Sequence, residues 1–264
     1  MKKFWFMLTA LVATCFLVAC SGSQGVSPKT IKEKKIVVAT ESEFAPFEFK
    51  SLVNGKDTLV GADIELAKAI GEKLGVKVEF SVMSFDNVLA SVQSGKSDIA
   101  IAGISVTDGR KKVYDFSDSY YTSENVVIVK KDKVNDFTNA DSLAKQTVGT
   151  QKGSVQESVA KKQISKASVV SLASNGEMIN ELKSGQIQAV VLEKAIAEGY
   201  ITQNDDLTLA SFNLKSDGSD AYAVATRKGS DDLLKEINAV IKETKDSGKF
   251  DQWLKEASTY KQSK

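Results

Sequence analysis

SDIAIAGISVTDGRKKVYDFSDSYYTS, residues 97–123, is the stretch that decides how this chain folds. It opens on Ile99-Ala-Ile-Ala102, a short apolar run between Asp98 and Gly103 that predicts a buried strand. Beyond Gly103 the residues become small and hydroxyl-bearing, and Thr107 and Asp108 suit the cap of a short helix with Arg110 in its first turn. A strand that runs into glycine, hydroxyls and a helix start offers free N–H groups, which favour an anion. Arg110 adds a planar fork of donors that fits a carboxylate bidentately. The chain has 35 lysines and arginines, and only Arg110 and Arg227 are arginine. In so lysine-rich a chain, arginine here points to planar geometry and not to charge alone.

The same plan occurs twice. Val92-Gln-Ser-Gly-Lys-Ser-Asp-Ile-Ala-Ile-Ala-Gly103 and Leu182-Lys-Ser-Gly-Gln-Ile-Gln-Ala-Val-Val-Leu-Glu193 each read as a helix end, a Ser-Gly stop, a turn and a buried strand. Aligned without gaps, Gly103 and Glu193 fall together at the carboxyl end of the strand, where ligands bind in open α/β sheets. Two such units imply two α/β lobes that present their strand ends to one cleft. The first strands, at Ile36 and Thr147, both lead into polar loops. Gly61 to Gly75 reads as a helix with Ile64, Ala67, Ile70 and Leu74 on one face, and a second helix carries Phe85, Val88, Leu89 and Val92.

Composition narrows the function. The chain has 264 residues, 42% hydrophobic and 26% charged, with net charge +1. That is a globular composition without the positive excess expected of a nucleic-acid binder. Histidine is absent and both cysteines, Cys15 and Cys20, lie in the first twenty residues. The usual zinc ligands and the Cys/His and Ser/His catalytic pairs are therefore missing, and no metal, cofactor or catalytic residue is expected.

Met1-Lys2-Lys3 is a positive leader, and Phe4 to Val18 is an uncharged apolar stretch shorter than the roughly 20 residues that span a bilayer. With Leu17-Val-Ala-Cys20 it reads as a secretory signal over residues 1–19. The ending resembles the bacterial lipobox, which implies a diacylated Cys20 as the mature N-terminus, anchored on the extracytoplasmic face of the cell membrane. Residues 20–35 read as a mobile, polar, lysine-rich tether.

The segment GISVTDGRKKVYDFSDSYYTS resembles the signature of the polar amino-acid-binding proteins of ABC importers: glycine, a hydroxyl residue, Thr-Asp-x-Arg, Tyr-Asp-Phe-Ser and a Tyr-Tyr pair. The resemblance implies a type II periplasmic-binding-protein-like fold, with two α/β lobes joined by a two-strand hinge. Lobe 1 is expected over 36–128 and 222–264, and lobe 2 over 129–221, with the first crossover near Val126 to Lys130. It also implies roles. Arg110 holds the ligand's α-carboxylate, helped by N–H groups near Ser105 and by Ser154 from across the cleft. Glu193, at a position normally aspartate, meets the α-ammonium together with the Gly103 carbonyl and the Ser105 hydroxyl. Glu41 and Phe44, in the loop Thr40-Glu-Ser-Glu-Phe-Ala-Pro-Phe, face the ligand, and Phe44 stacks on it. Gln151 is a pocket-wall candidate. Ser154 and Glu193 also suit helix N-caps, and Phe47, Phe49 and Trp253 are expected in the core.

The expected protein captures a polar L-amino acid by lobe closure and presents it, as a monomer, to ABC permease transmembrane subunits. Charge-assisted bonds contribute about 1.5–3 kcal/mol each, and micromolar affinity needs about 8 kcal/mol in all. Glu41 and Glu43 put negative charge near the side-chain pocket, and Ala62, where the family usually has phenylalanine, leaves it roomy. A cationic ligand, arginine or lysine, is the expectation, with glutamine or cystine next. Two other classes fit the fold: a cyclohexadienyl-dehydratase-like enzyme and a surface sensor or adhesin lipoprotein.

Overall fold

The computed structural model describes residues 25–28, 31, 34–215, 218 and 220–263. The expected signal peptide and Cys20 lie outside the described residues. The chain opens with β1 (Lys35–Thr40) and an antiparallel three-stranded unit of β2 (Glu43–Phe44), β3 (Glu48–Val53) and β4 (Lys56–Val60), with Asn54-Gly55 at the tight turn. Then come α1 (Ala62–Leu74), β5 (Lys77–Val82), α2 (Phe85–Gln93), β6 (Ile99–Ala100), the one-turn α3 (Asp108–Lys111), β7 (Tyr114–Phe116) and β8 (Tyr121–Thr122). The second half holds β9 (Asn125–Lys130), β10 (Thr147–Gln151), α4 (Val155–Gln163), β11 (Ser168–Leu172), α5 (Asn175–Ser184), β12 (Ala189–Glu193), α6 (Lys194–Gln203) and β13 (Leu207–Leu214). The chain returns through β14 (Ala221–Tyr222) and β15 (Ala225–Arg227) and closes with α7 (Asp231–Asp246) and α8 (Lys249–Ala257).

These elements make two five-stranded sheets of matching plan, ordered β5-β1-β6-β15-β7 and β11-β10-β12-β9-β13. In each, three parallel strands are followed by an antiparallel one, β15 beside β6 and β9 beside β12. The duplicated segments lie at equivalent places: α2 and α5 end at the Ser-Gly stops, and β6 and β12 are the third strand of each sheet. Both faces of each sheet are covered, which is why β9 and β12 are apolar runs without alternation. One apolar cluster runs from Ile36 and Leu66 in the first sheet's layer to Ile128 and Leu192 in the second's. Phe47, Phe49 and Trp253 are buried, as expected.

Between the lobes lies a two-stranded ribbon, β8 paired with β14, extended by Tyr120 N–H to the Tyr222 carbonyl and Ser123 N–H to the Asp220 carbonyl, both at 3.0 Å. The expected crossover within Val126 to Lys130 is corrected by this topology. β9 pairs along its length inside the second sheet, from Val129 opposite Ala189 to Asn125 opposite Glu193. A run of valine and isoleucine buried on both faces serves a central strand better than a solvated linker. The returning segment is two short strands, β14 in the ribbon and β15 in the first sheet.

The tether also differs from expectation in its described part. Val26 is 1% exposed, and its N–H donates to Ser230 Oγ at 2.8 Å. Gly25 passes so close to the turn before α7 that a Cβ there would stand 2.0 Å from the Gly229 carbonyl oxygen. Ile31 packs on the same core. Two apolar residues in a polar stretch are enough to lay this segment on lobe 1, a preference that its average composition conceals.

Candidate functional site

The strand ends of both sheets converge on one crevice. In lobe 1, β6 delivers the chain to Gly103, whose φ of 54° is left-handed and whose α-carbon lies against the Phe44 ring. A Cβ there would be 2.4 Å from that ring, so both the backbone angle and the space demand glycine. Gly103 N–H donates to Asp63 Oδ2 at 3.1 Å. Ser105 is buried and bridges to Tyr222 of the hinge ribbon. Thr107 caps the following turn by accepting from the Arg110 N–H at 3.1 Å, as its sequence position predicts.

Arg110 is held on three sides. Its Nη1 donates to the Ser105 carbonyl at 2.8 Å, its Nη2 to the Gly153 carbonyl of the other lobe at 3.1 Å, and its guanidinium lies 5.9 Å from the centre of the Phe85 ring. Burial lowers its pKa from the ordinary value, while Tyr114 and Glu193 act the other way.

Of the residues expected from lobe 2, Gln151 ends β10, Ser154 stands at the N-cap of α4 and Glu193 at the N-cap of α6. Gln151 Nε2 donates across the crevice to both oxygens of Glu41, at 3.1 and 3.3 Å. Ser154 caps α4 by accepting from the Glu157 N–H at 3.2 Å, so the capping role of this serine is observed. Glu193 stands at the N-cap of α6 but makes no side-chain cap, which leaves its carboxyl turned to other work. Burial raises that carboxyl to about 7, against the pull of its own backbone N–H, Tyr222, Arg110 and Gln156. Glu41 is raised to about 8, first by burial and then by Glu43 and Glu193, with Gln151 opposing. Glu193 is thus within electrostatic reach of both Arg110 and Glu41, although 152 positions separate it from Glu41 in the chain.

Phe44 is buried, with ring centroids 5.7 Å from Phe47 and 6.2 Å from Tyr222, and it forms the floor beside Gly103. Glu43, expected near the side-chain pocket, is engaged elsewhere. Its Oε2 accepts from the Gly176 N–H at the start of α5 at 2.9 Å, and its carbonyl accepts from Tyr200 OH at 3.1 Å. Ala62 is fully buried at the head of α1. The rim is closed by Lys152 and Asp86, 2.8 Å apart from opposite lobes.

Sequence reading missed four residues that shape this site: Glu48, Asp63, Gln156 and Tyr222. Gln156 donates to Asn125 Oδ1 at 2.8 Å and stands beside Glu193. Tyr222 belongs to the hinge ribbon and packs on Phe44, Phe47, Tyr120 and Tyr121. The sequence carries a hint of the two acids: Glu48 and Asp63 are carboxyls set among apolar residues, where burial demands a partner.

Two lobes on a two-strand ribbon, with an arginine and carboxyls facing each other at the strand ends, define a ligand receptor of the type II periplasmic-binding fold. The chain belongs to the bacterial extracellular solute-binding proteins, family 3, whose profile matches residues 36–257. It is 34% identical over 260 residues, 97% of either chain, to the arginine-binding extracellular protein ArtP of Bacillus subtilis (strain 168). Among solved structures it is similar to the amino acid ABC transporter substrate-binding protein AbpA from Streptococcus pneumoniae Canada MDR_19A bound to L-arginine. That likeness is 48% in identity with a TM-score of 0.84, covering 88% of this chain and 97% of that one. An ancestral arginine-binding protein bound to glutamine is 39% identical with a TM-score of 0.77, covering 86% of this chain and 98% of that one.

Proposed function

We propose that this protein is the receptor of an amino-acid importer and that its ligand is a cationic L-amino acid, arginine before lysine. One observation carries the choice. Glu193, a buried carboxyl, is within electrostatic reach of both the Arg110 guanidinium and a second buried carboxyl, Glu41. A neutral zwitterion answers Arg110 with its carboxylate and one carboxyl with its ammonium. A second cation is needed to answer the other, and arginine or lysine supplies it. In this reading Arg110, with N–H groups near Ser105 and Ser154, holds the carboxylate. Glu193, the Gly103 carbonyl and the Ser105 hydroxyl hold the ammonium, and Glu41, Phe44 and Gln151 face the side chain. The names of the relatives support the same ligand class.

Since these groups come from both lobes, ligand favours the closed form about the β8·β14 ribbon, and an ABC permease reads that closure. Lobe 1 is taken as 36–119 with 223–263 and lobe 2 as 125–219, joined by the two ribbon segments. The protein acts as a monomer, without cofactor or catalysis, held to the membrane through a diacylated Cys20. A thermal-shift panel of arginine, lysine, glutamine, cystine and histidine tests the ligand: the largest stabilisation is expected with arginine, and stabilisation by glutamine without arginine overturns the cationic reading. Intact mass of the membrane-extracted protein, against Cys20→Ser, tests the anchor. Recovery of unchanged arginine after incubation tests the absence of catalysis.

A further inference from the structure

Behind the Phe44–Gly103 floor, two acids meet without a cation. Glu48 comes from β3 and Asp63 from the first turn of α1, where the Asp63 N–H donates to the Phe47 carbonyl at 2.9 Å and so sets the two acids beside one another. Both residues are at most 1% exposed. Asp63 Oδ2 accepts from the Gly103 N–H at 3.1 Å and from Tyr120 OH at 2.8 Å. The other three oxygens, Asp63 Oδ1 and both of Glu48, have no donor among the described residues. The ionisable groups that face the pair are Glu41 on the loop after β1, Glu193 at the end of β12, Tyr120 before β8 and Tyr222 on β14. None of these is cationic.

Two neighbouring carboxylates in a buried site repel each other and lack solvation, so they cannot both ionise. A proton on one makes it a donor to the other and satisfies an otherwise orphaned oxygen. We infer that Glu48 and Asp63 share one proton at neutral pH, and that this protonated pair is the positioning device that fixes Gly103 and Tyr120 beneath the ligand. Burial pushes Glu48 well above the usual carboxylate range and Asp63 to about 6, in keeping with that proton. The pair ties three parts together: the hairpin that carries Phe44, the strand end that carries Gly103 and the residue that enters the hinge ribbon. Loss of the proton sets two negative charges against each other at that junction and loosens all three.

Glu48→Gln tests this, because it keeps the shape and a donor toward Asp63 while removing the proton that can leave. Difference infrared spectroscopy at neutral pH, wild type minus Glu48→Gln, is expected to show one protonated-carboxyl component beyond those of Glu41 and Glu193, which both proteins share. The ligand-free melting temperature of Glu48→Gln is expected to rise relative to wild type as pH increases. The ratio of wild-type to variant Kd for arginine should grow by about threefold or more between about pH 6 and pH 9, since one linked proton sets a limit of tenfold per pH unit. A merely structural role would shift stability equally at every pH and leave that ratio flat. An unchanged carboxyl band together with parallel pH profiles overturns the inference. If Glu48→Gln does not fold, Asp63→Asn removes the same shared site, and the same loss of the band is expected. The affinity reading rests on the ligand proposed above. The infrared and ligand-free readings do not, so a failure of arginine to bind is told apart from a failure of the pair.

Discussion

The ends of β6 and β12 occupy equivalent places in two sheets of the same order, yet the chain leaving β6 runs on to a glycine, Gly103, and β12 ends in a glutamate. At Gly103 the chain has given up its side chain. What remains is a backbone N–H tied to Asp63, a carbonyl and an aromatic ring pressed against the α-carbon. At Glu193 the chain presents a buried carboxyl that does not cap its own helix. The scaffold is therefore shared and the chemistry is divided. Lobe 1 adds its charge one turn later, through Arg110, whose fork is braced by carbonyls from both lobes. A duplicated frame fixes where atoms can be offered, and the residue at the strand end fixes which atoms they are.

The comparison breaks most sharply at Arg110. Arg110→Lys keeps a positive charge but loses the planar fork, and with two charge-assisted bonds at about 1.5–3 kcal/mol each, arginine affinity should fall by about 100-fold or more. Isothermal titration of the purified protein checks it, and a loss of less than about tenfold would mean that the fork is not the carboxylate clamp.

Glu193→Gln should cost about 10–100-fold in affinity, the value of one charged hydrogen bond. It also sharpens the comparison through pH. In the wild type the cationic ligand pulls Glu41 and Glu193 down from their raised values of about 8 and about 7, so binding near neutral pH releases protons and affinity rises with pH. Titration in buffers of different ionisation enthalpy should show less proton release in Glu193→Gln. Without ligand the sign reverses. Glu41, Glu193 and Asp63 hold protons in the folded state that the unfolded chain has already lost. Their stabilisation is complete below the ordinary carboxylate range and fades as pH rises toward about 8, so the ligand-free melting temperature should fall over that window.

Gly103→Ala tests the glycine end. Its new methyl would meet the Phe44 ring at 2.4 Å on a left-handed backbone, and overpacking of this kind costs about 1–3 kcal/mol, visible in the melting temperature before ligand is added. The smallest effect belongs to the rim. Lys152→Ala removes the partner of Asp86, whose carboxyl that lysine holds below its usual range. Because the lysine is mostly exposed, arginine affinity should change by less than about threefold, most of it lost at high salt.

Much of this was legible beforehand, for particular reasons. Helices α1 and α2 carry clear helical periodicity, and their glycine or Ser-Gly stops fall where the chain turns. The Thr107 cap and the Arg110 turn follow from short-range chemistry that needs no partner. The repeat located the strand ends because the same local plan recurs. The lobe boundary was misplaced, because a central strand and a linker strand look alike until their neighbours are known. The docked Val26 and the engaged Glu43 escaped for the same reason, since each depends on a surface supplied from far along the chain.

Sequence by itself determined the two-lobe plan, the glycine-to-arginine loop and the identity of the charged groups, because these rest on periodicity, caps and spacing within a few residues. Tertiary structure alone decided which carboxyls are buried together, that Glu41 meets Gln151 across the crevice, and that Glu48 and Asp63 lie side by side. Ionisation of a carboxyl depends on the water removed from it and on the charges brought near it, and both are set only when distant parts of the chain close over the same space.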